Sequence, residues 1–171
     1  YILIWTTTPW TIPANMAVSV HPDYEYSYVK VYNDETGKDE ILIMVSELVD
    51  SVLGDVEKTI IKTVKGSELE NLVYEHPLAD KIPEQQEFIH KVILGDHVTL
   101  EDGTGAVHTA PGHGPEDYEV GMKNNIPPFC PVGEDGVYTK QAGIYEGKPI
   151  KEARGEIANV RIGVRGFIEN A

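Results

Sequence analysis

The 171-residue sequence contains one cysteine, Cys130, so no internal disulfide can form and nothing points to an oxidising compartment. Arginine is nearly as scarce: only Arg154, Arg161 and Arg165 occur, all near the C-terminus. Lysine and arginine together number 14 against 28 acidic residues, a net charge of -14. Such a chain lacks the basic surface that contacts to nucleic-acid phosphates require. No apolar run approaches the roughly 20 residues of a membrane helix, and no basic stretch precedes the apolar N-terminal residues as in a signal peptide. These absences predict a cytoplasmic protein with no membrane partner. Internal repeats and low-complexity segments are missing as well. So are the G-x-S-x-G elbow of hydrolases, the H-E-x-x-H metal motif and the G-x-x-x-x-G-K-[ST] phosphate loop. Gly103-x-Gly105 has no third glycine at the dinucleotide-binding spacing. Cys130 lies among prolines with no base signalled nearby, so it reads as a small packed thiol rather than a nucleophile.

What is present suits one folded domain: 41% hydrophobic and 25% charged residues, in a length that buries a core without disulfides. The chain opens inside an apolar run, Tyr1-Ile2-Leu3-Ile4-Trp5, and reads as a piece of something larger. Residues 1–8 are expected to be a buried strand with a polar end, followed by a turn bracketed by Pro9 and Pro13. Met16–Val20 reads as a strand. Alternation over 25–32, with Tyr24, Tyr26 and Tyr28 on one face and Val29 and Val31 on the other, predicts a hairpin returning over 40–45. Ser46 has the chemistry of a helix cap, and Leu48, Val49, Val52 and Leu53 form a helical face stopped at Gly54. Strands are expected over 56–65, 73–78, 88–94 and 96–100, with loops between. Pro115, Glu116 and Asp117 suit the first turn of a helix reaching Lys123, and Pro149 opens a last helix with Ile150, Ala153 and Ile157 on one face. The segment 160–168 is strand-like but broken by glycine. Many short strands and few helices predict a mainly β, α+β architecture with a β-barrel and peripheral helices.

Two stretches carry the polar chemistry. In 103–118, four glycines and two prolines set an unusual backbone path around His108, His113, Glu116 and Asp117. In 5–15, Trp5-Thr6-Thr7-Thr8-Pro9-Trp10-Thr11-Ile12-Pro13-Ala14-Asn15, hydroxyls and an amide cluster before and after two prolines. Threonines and asparagine both donate and accept hydrogen bonds, and aspartate binds an ammonium group, so Thr6, Thr7, Thr8, Asn15, His108 and Asp117 together can make a pocket that positions water and a small ligand. Trp10 can serve as a steric wall. Residue chemistry alone leaves plainer readings open: threonines favour strands, and tryptophan favours cores. The two histidines and two carboxylates supply metal-ligand types without any metal spacing, so no metal is expected.

The two stretches together resemble the inserted editing (CP1) domain of bacterial-type isoleucyl-tRNA synthetase, a class I synthetase, over roughly residues 1–150. The related valyl and leucyl enzymes typically place an arginine before the proline, where this chain has Thr8 followed after Pro9 by Trp10. The resemblance implies a single editing domain over 1–171, with 160–171 a return segment or tail of unassigned role. It implies hydrolysis of valine wrongly attached to tRNA(Ile), and of valyl-adenylate. It places Asp117 on the substrate α-ammonium and Trp10 and His108 around the side chain. Gly105 and Ala106 also fall among the binding residues. Thr6, Thr7, Thr8 and Asn15 fall on the substrate and the attacking water. The implied partners are the valine-bearing 3′ end of tRNA(Ile) and the rest of the parent synthetase, with the domain a monomer. No cofactor is implied for editing. The resemblance leaves ATP and zinc to the parent; the chain has neither HIGH nor KMSKS, the signatures of the core that binds ATP.

Overall fold

A computed structural model describes residues 1–101, 103–157 and 163–164. Two sheets organise them. The larger is built around β1 (Ala17–Val20), which lies between β6 (His90–Leu94), parallel to it, and β7 (Ala106–Thr109), antiparallel to it. β5 (Val73–Glu75) pairs with the far edge of β6, and β8 (Gly163–Val164) pairs with β5, giving the order β7-β1-β6-β5-β8. The smaller sheet is antiparallel, with β2 (Glu25–Asn33) between β3 (Lys38–Val45) and β4 (Lys58–Lys65). Among the described residues three α-helices accompany them: α1 (Val49–Leu53), α2 (Pro115–Lys123) and α3 (Ile150–Ile157).

The sequence pattern accounts for this arrangement. All four residues of β1 are buried, because its two faces pack into different apolar clusters, Val18 and Val20 in one and Ala17 in another, and the hydroxyl of Ser19 is satisfied by Thr109 Oγ1 at 2.7 Å. Along β2, Tyr26 and Tyr28 enter a core with Val18, Val20, Ile43 and Val92 that joins the two sheets. Val29 and Val31 point the other way, onto Met44 and Val49. On α3, Ala153 and Ile157 pack with Ile12, Leu78, Tyr138 and Tyr145. Among the described residues no helix is long and apolar enough to cross a membrane.

Several expectations are corrected. The sheets are mixed and helices few, as expected; the described strands form two sheets, and no closed barrel is found among them. Residues 1–8 are not a strand. Only Ile2 bridges Ile43, with Leu3 N donating to Ile43 O at 3.0 Å, after which the chain turns away and Trp5 is left exposed. The cause is local: Thr8 N bonds back to Thr6 Oγ1 at 3.0 Å, a hydroxyl turn that competes with sheet pairing, and Pro9 then starts a 3-10 turn over Pro9–Ala14. Ser46 does not cap α1. It begins a separate 3-10 turn, Ser46–Leu48, and its hydroxyl bonds Ser27 Oγ at 2.8 Å. Residues 96–100 form no strand, because Val98 N turns back to Gly95 O. Of the segment 160–171, all but Gly163–Val164 lies outside the described residues.

Candidate functional site

The two polar stretches meet because β7 carries His108 alongside Val18 of β1, while the chain entering β1 is the proline-bracketed turn. Between them lies a cleft of about 360 Å³. Thr6, Thr7, Thr8, Gly105, Ala106, His108 and Asp117 line it, so the structure brings these expected residues together. Trp10 and Asn15 do not line it. In a 3-10 turn residues three apart share a face. Thr8 and Thr11 therefore both reach the cleft, while Trp10 points elsewhere and packs edge-on against His113, ring centroids 5.3 Å apart. Asn15 is fully buried beneath the site.

The turn is held rigidly. Ile12 and Ala14 are each buried, in two different apolar clusters. Its carbonyls are also taken: Trp10 O accepts from the Tyr138 hydroxyl at 2.6 Å, Ile12 O from His76 Nε2 at 3.1 Å, and Pro13 O from Gln85 Nε2 at 2.7 Å. On the opposite side Gly105 O accepts from the Tyr26 hydroxyl at 2.5 Å, and Thr104 O from Val45 N at 2.9 Å. The smaller sheet thus fixes the glycine loop.

Asp117 is the third residue of α2, and its Oδ2 accepts from Ala110 N at 2.8 Å. Oδ1 has no hydrogen-bond partner among the described residues, which leaves one carboxylate oxygen for a cation in the cleft. His113 lines the same cleft. Burial lowers its pKa, against which the Asp117 charge acts. His108 has both ring nitrogens engaged, Nε2 with Thr11 Oγ1 at 2.8 Å and Nδ1 with Asn15 Nδ2 at 2.9 Å, and burial pushes its pKa down to about 4. A neutral, doubly bonded imidazole is a wall, not a base. Among the described residues no group of three or more His, Cys, Asp or Glu side chains is placed to hold a metal ion.

His97 and Thr99 also line the cleft, although they lie in a segment expected to be a plain strand. Thr11, Thr104 and His113 line it too. Thr11 was legible in principle, from its three-residue spacing to Thr8 in a proline-started turn.

His76, with a pKa lowered to about 3, and His90, lowered to about 4, join His108 as histidines that burial keeps neutral. The unfolded chain binds their protons near pH 6.5 and the folded chain does not, so stability is full above about pH 6.5 and falls as the pH drops toward about 4. Each such histidine contributes at most about 1.4 kcal/mol per pH unit in that window. Urea midpoints are expected to fall between pH 7 and pH 5, and less steeply in His76→Gln. A midpoint indifferent to pH over that range contradicts neutral burial.

The fold has known counterparts. In overall fold the chain is similar to the crystal structure of GlLeuRS-CP1, with a TM-score of 0.68 at 17% identity over 92% of this chain and 78% of that one. It is also similar to the editing domain of the P. knowlesi cytosolic leucyl-tRNA synthetase, with a TM-score of 0.61 at 12% identity over 95% and 84%. The fold is thus that of synthetase editing domains. The sequence is homologous to a segment of isoleucine–tRNA ligases. It is 56% identical over 157 residues to that of Methanothermobacter marburgensis, covering 92% of this chain and 14% of the ligase. It is 52% identical over 160 residues to that of Archaeoglobus fulgidus, covering 92% and 15%. The chain therefore spans about one-seventh of the length of these relatives. Both are archaeal, so they support the isoleucyl assignment without its bacterial-type qualifier. No protein-family model matches the chain.

Proposed function

We propose that the chain is a single, monomeric editing domain of a cytoplasmic isoleucyl-tRNA synthetase, which hydrolyses valine wrongly joined to tRNA(Ile) and also valyl-adenylate. One observation carries the reading: a threonine-lined cleft contains a carboxylate, Asp117, with one oxygen uncommitted, in a chain homologous to isoleucine–tRNA ligases. The need for such a site is general. One methylene in an apolar pocket is worth about 1–3 kcal/mol, a value for which the isoleucine–valine pair is itself the standard illustration, so a first pocket admits valine and a second must remove it.

In this reading the valine α-ammonium pairs with Asp117 through a charge-assisted bond. Hydroxyls of Thr6, Thr7 and Thr8 and backbone at Gly105 and Ala106 hold the ester and an attacking water. Water adds to the ester carbonyl, the bond to the ribose oxygen breaks, and that oxygen takes up the proton, helped by the neighbouring ribose hydroxyl. Catalysis rests on positioning and electrostatics, with no covalent intermediate and no cofactor. His108 excludes isoleucine by bulk, and Trp10 acts at one remove, by backing His113. Asn15 acts from beneath, through His108. ATP and zinc serve the parent enzyme only. The net charge of -14 fits a domain that takes only the terminal nucleoside while the rest of the synthetase grips the tRNA.

The test is deacylation of Val-tRNA(Ile) and Ile-tRNA(Ile) by the full synthetase. Selective release of valine is expected, and His108→Ala is expected to release isoleucine too. Absence of valine release from the wild type would reduce the domain to a binding module.

A further inference from the structure

Beneath the cleft runs a chain of hydrogen bonds whose directions can be worked out. The carbonyl of Ala17, 2.8 Å from the Asn15 side chain, can only accept, so the atom facing it is Nδ2. The second Nδ2 proton points to His108 Nδ1 at 2.9 Å, which must therefore be an unprotonated acceptor. The neutral ring then carries its proton on Nε2 and donates it to Thr11 Oγ1 at 2.8 Å. Thr11 in turn gives its own proton to Thr8 O at 2.9 Å. At the head of the chain the hydroxyl of Tyr74, on β5, donates to Asn15 Oδ1. Tyr74 and Asn15 are both buried, and Tyr74 does not line the cleft.

We infer that Tyr74 is a positioning residue of the site: through Asn15 it locks His108 as the Nε2–H tautomer, with the ring at a fixed angle to the cleft. The role assigned to His108 rests on the editing reading above, while the tautomer does not. Asn15 is the pivot of this hydrogen-bond chain. Its Nδ2 is committed to Ala17 and His108, and only Tyr74 supplies a donor to its Oδ1 among the described residues. Removal of the phenol leaves a buried amide oxygen unpaired, a state that buried polar groups avoid. The carboxamide escapes it only by turning, and turning breaks the bond to His108. The ring is then free to exchange tautomers and to tilt, and a tilted wall no longer measures one methylene.

The test has two arms. On the 171-residue chain, nitrogen-15 NMR of the histidine side chains is expected to find the His108 proton on Nε2 alone at neutral pH. In Tyr74→Phe, which keeps the ring and its packing, it is expected to find both tautomers. Thr11→Val, which cuts the chain on the far side of His108, is expected to keep Nε2–H. In the full synthetase, Tyr74→Phe is expected to lower the preference for valyl over isoleucyl ester by about fivefold, the size of one lost hydrogen bond, with the KM for Val-tRNA(Ile) unchanged. A proton on Nδ1 in the wild type overturns the inference whether or not any variant folds. So does a single unchanged tautomer in a folded Tyr74→Phe. Altered tautomers in an enzyme without deacylase activity would keep the inference about the ring and reject the editing reading.

Discussion

Asp117→Asn is expected to lower kcat/KM for valine release from Val-tRNA(Ile) by about a hundredfold while leaving the domain folded. The substitution is nearly isosteric. The asparagine oxygen can still accept from Ala110 N, the bond of 2.8 Å that ties the first turn of α2 to the end of β7, so the frame survives. What disappears is the negative charge facing the cleft. Bonds to charged groups are worth about 1.5–3 kcal/mol, which brackets a hundredfold loss. The loss should be specific to substrates with a charged α-amino group. An N-acetylated valyl ester, which has no ammonium, should be handled equally poorly by both forms. Full activity of Asp117→Asn on Val-tRNA(Ile), with unchanged thermal unfolding, would remove Asp117 from the substrate.

Gly105→Ala is expected to cost about 2–5 kcal/mol of stability. Two effects add. Gly105 has φ of 72°, in the left-handed region, where a side chain costs roughly 1–2 kcal/mol. A Cβ placed there would also lie 2.5 Å from Val45 Cβ, and relieving such overpacking costs about 1–3 kcal/mol. The contact is with the first side-chain carbon of Val45, so trimming that residue to alanine brings no relief. Gly136 provides the control. Its φ is 74°, yet a Cβ there would meet nothing within 4 Å, so Gly136→Ala should show the backbone cost alone. Urea unfolding of the two variants compares them directly, and equal losses would show that contact with Val45 sets no limit. Gly105→Ala should also impair deacylation, since Gly105 and Ala106 line the cleft.

The parts of this structure legible from sequence are those governed by short-range rules. Alternation along 25–32 predicted the hairpin and both of its faces, because successive side chains of a strand point to opposite sides and here each side meets an apolar cluster. Pro115 with two acids gave the start of α2 at the residue observed. The failures fall where a local bond or a distant partner decided. Apolar residues 1–5 suggest a strand, but hydroxyl turns at Thr6–Thr8 and the ring of Pro9 end the pairing after Leu3. Two open sheets and a closed barrel require the same short alternating strands, so composition could not separate them. In the site, the threonines and Asp117 line the cleft as residue types suggested, but residue types do not show that Trp10 turns away or that Asn15 lies buried below. Those outcomes follow from the pitch of one 3-10 turn. His97 had no signal, since its place depends on a loop that follows β6 and not on any pattern around it.

The separation in sequence of the site's parts also bears on how the domain acquires it. Thr11 and His108 are 97 residues apart, and Asn15 and Tyr74 are 59 apart. β1 stays unpaired until β6 arrives to lie parallel to it and β7 antiparallel. Contacts of such span are closed late, because the entropy of long loops must be overcome before any pairing rewards it, and domains built this way fold in about milliseconds to seconds. On the ribosome, at about 5–20 residues per second, the first threonines emerge many seconds before the strand that completes their cleft. Until β6 arrives the nascent chain carries an unpartnered β1, apolar at three of its four positions. The cleft can close only after β7 and the first turn of α2, which carries Asp117, have both been made.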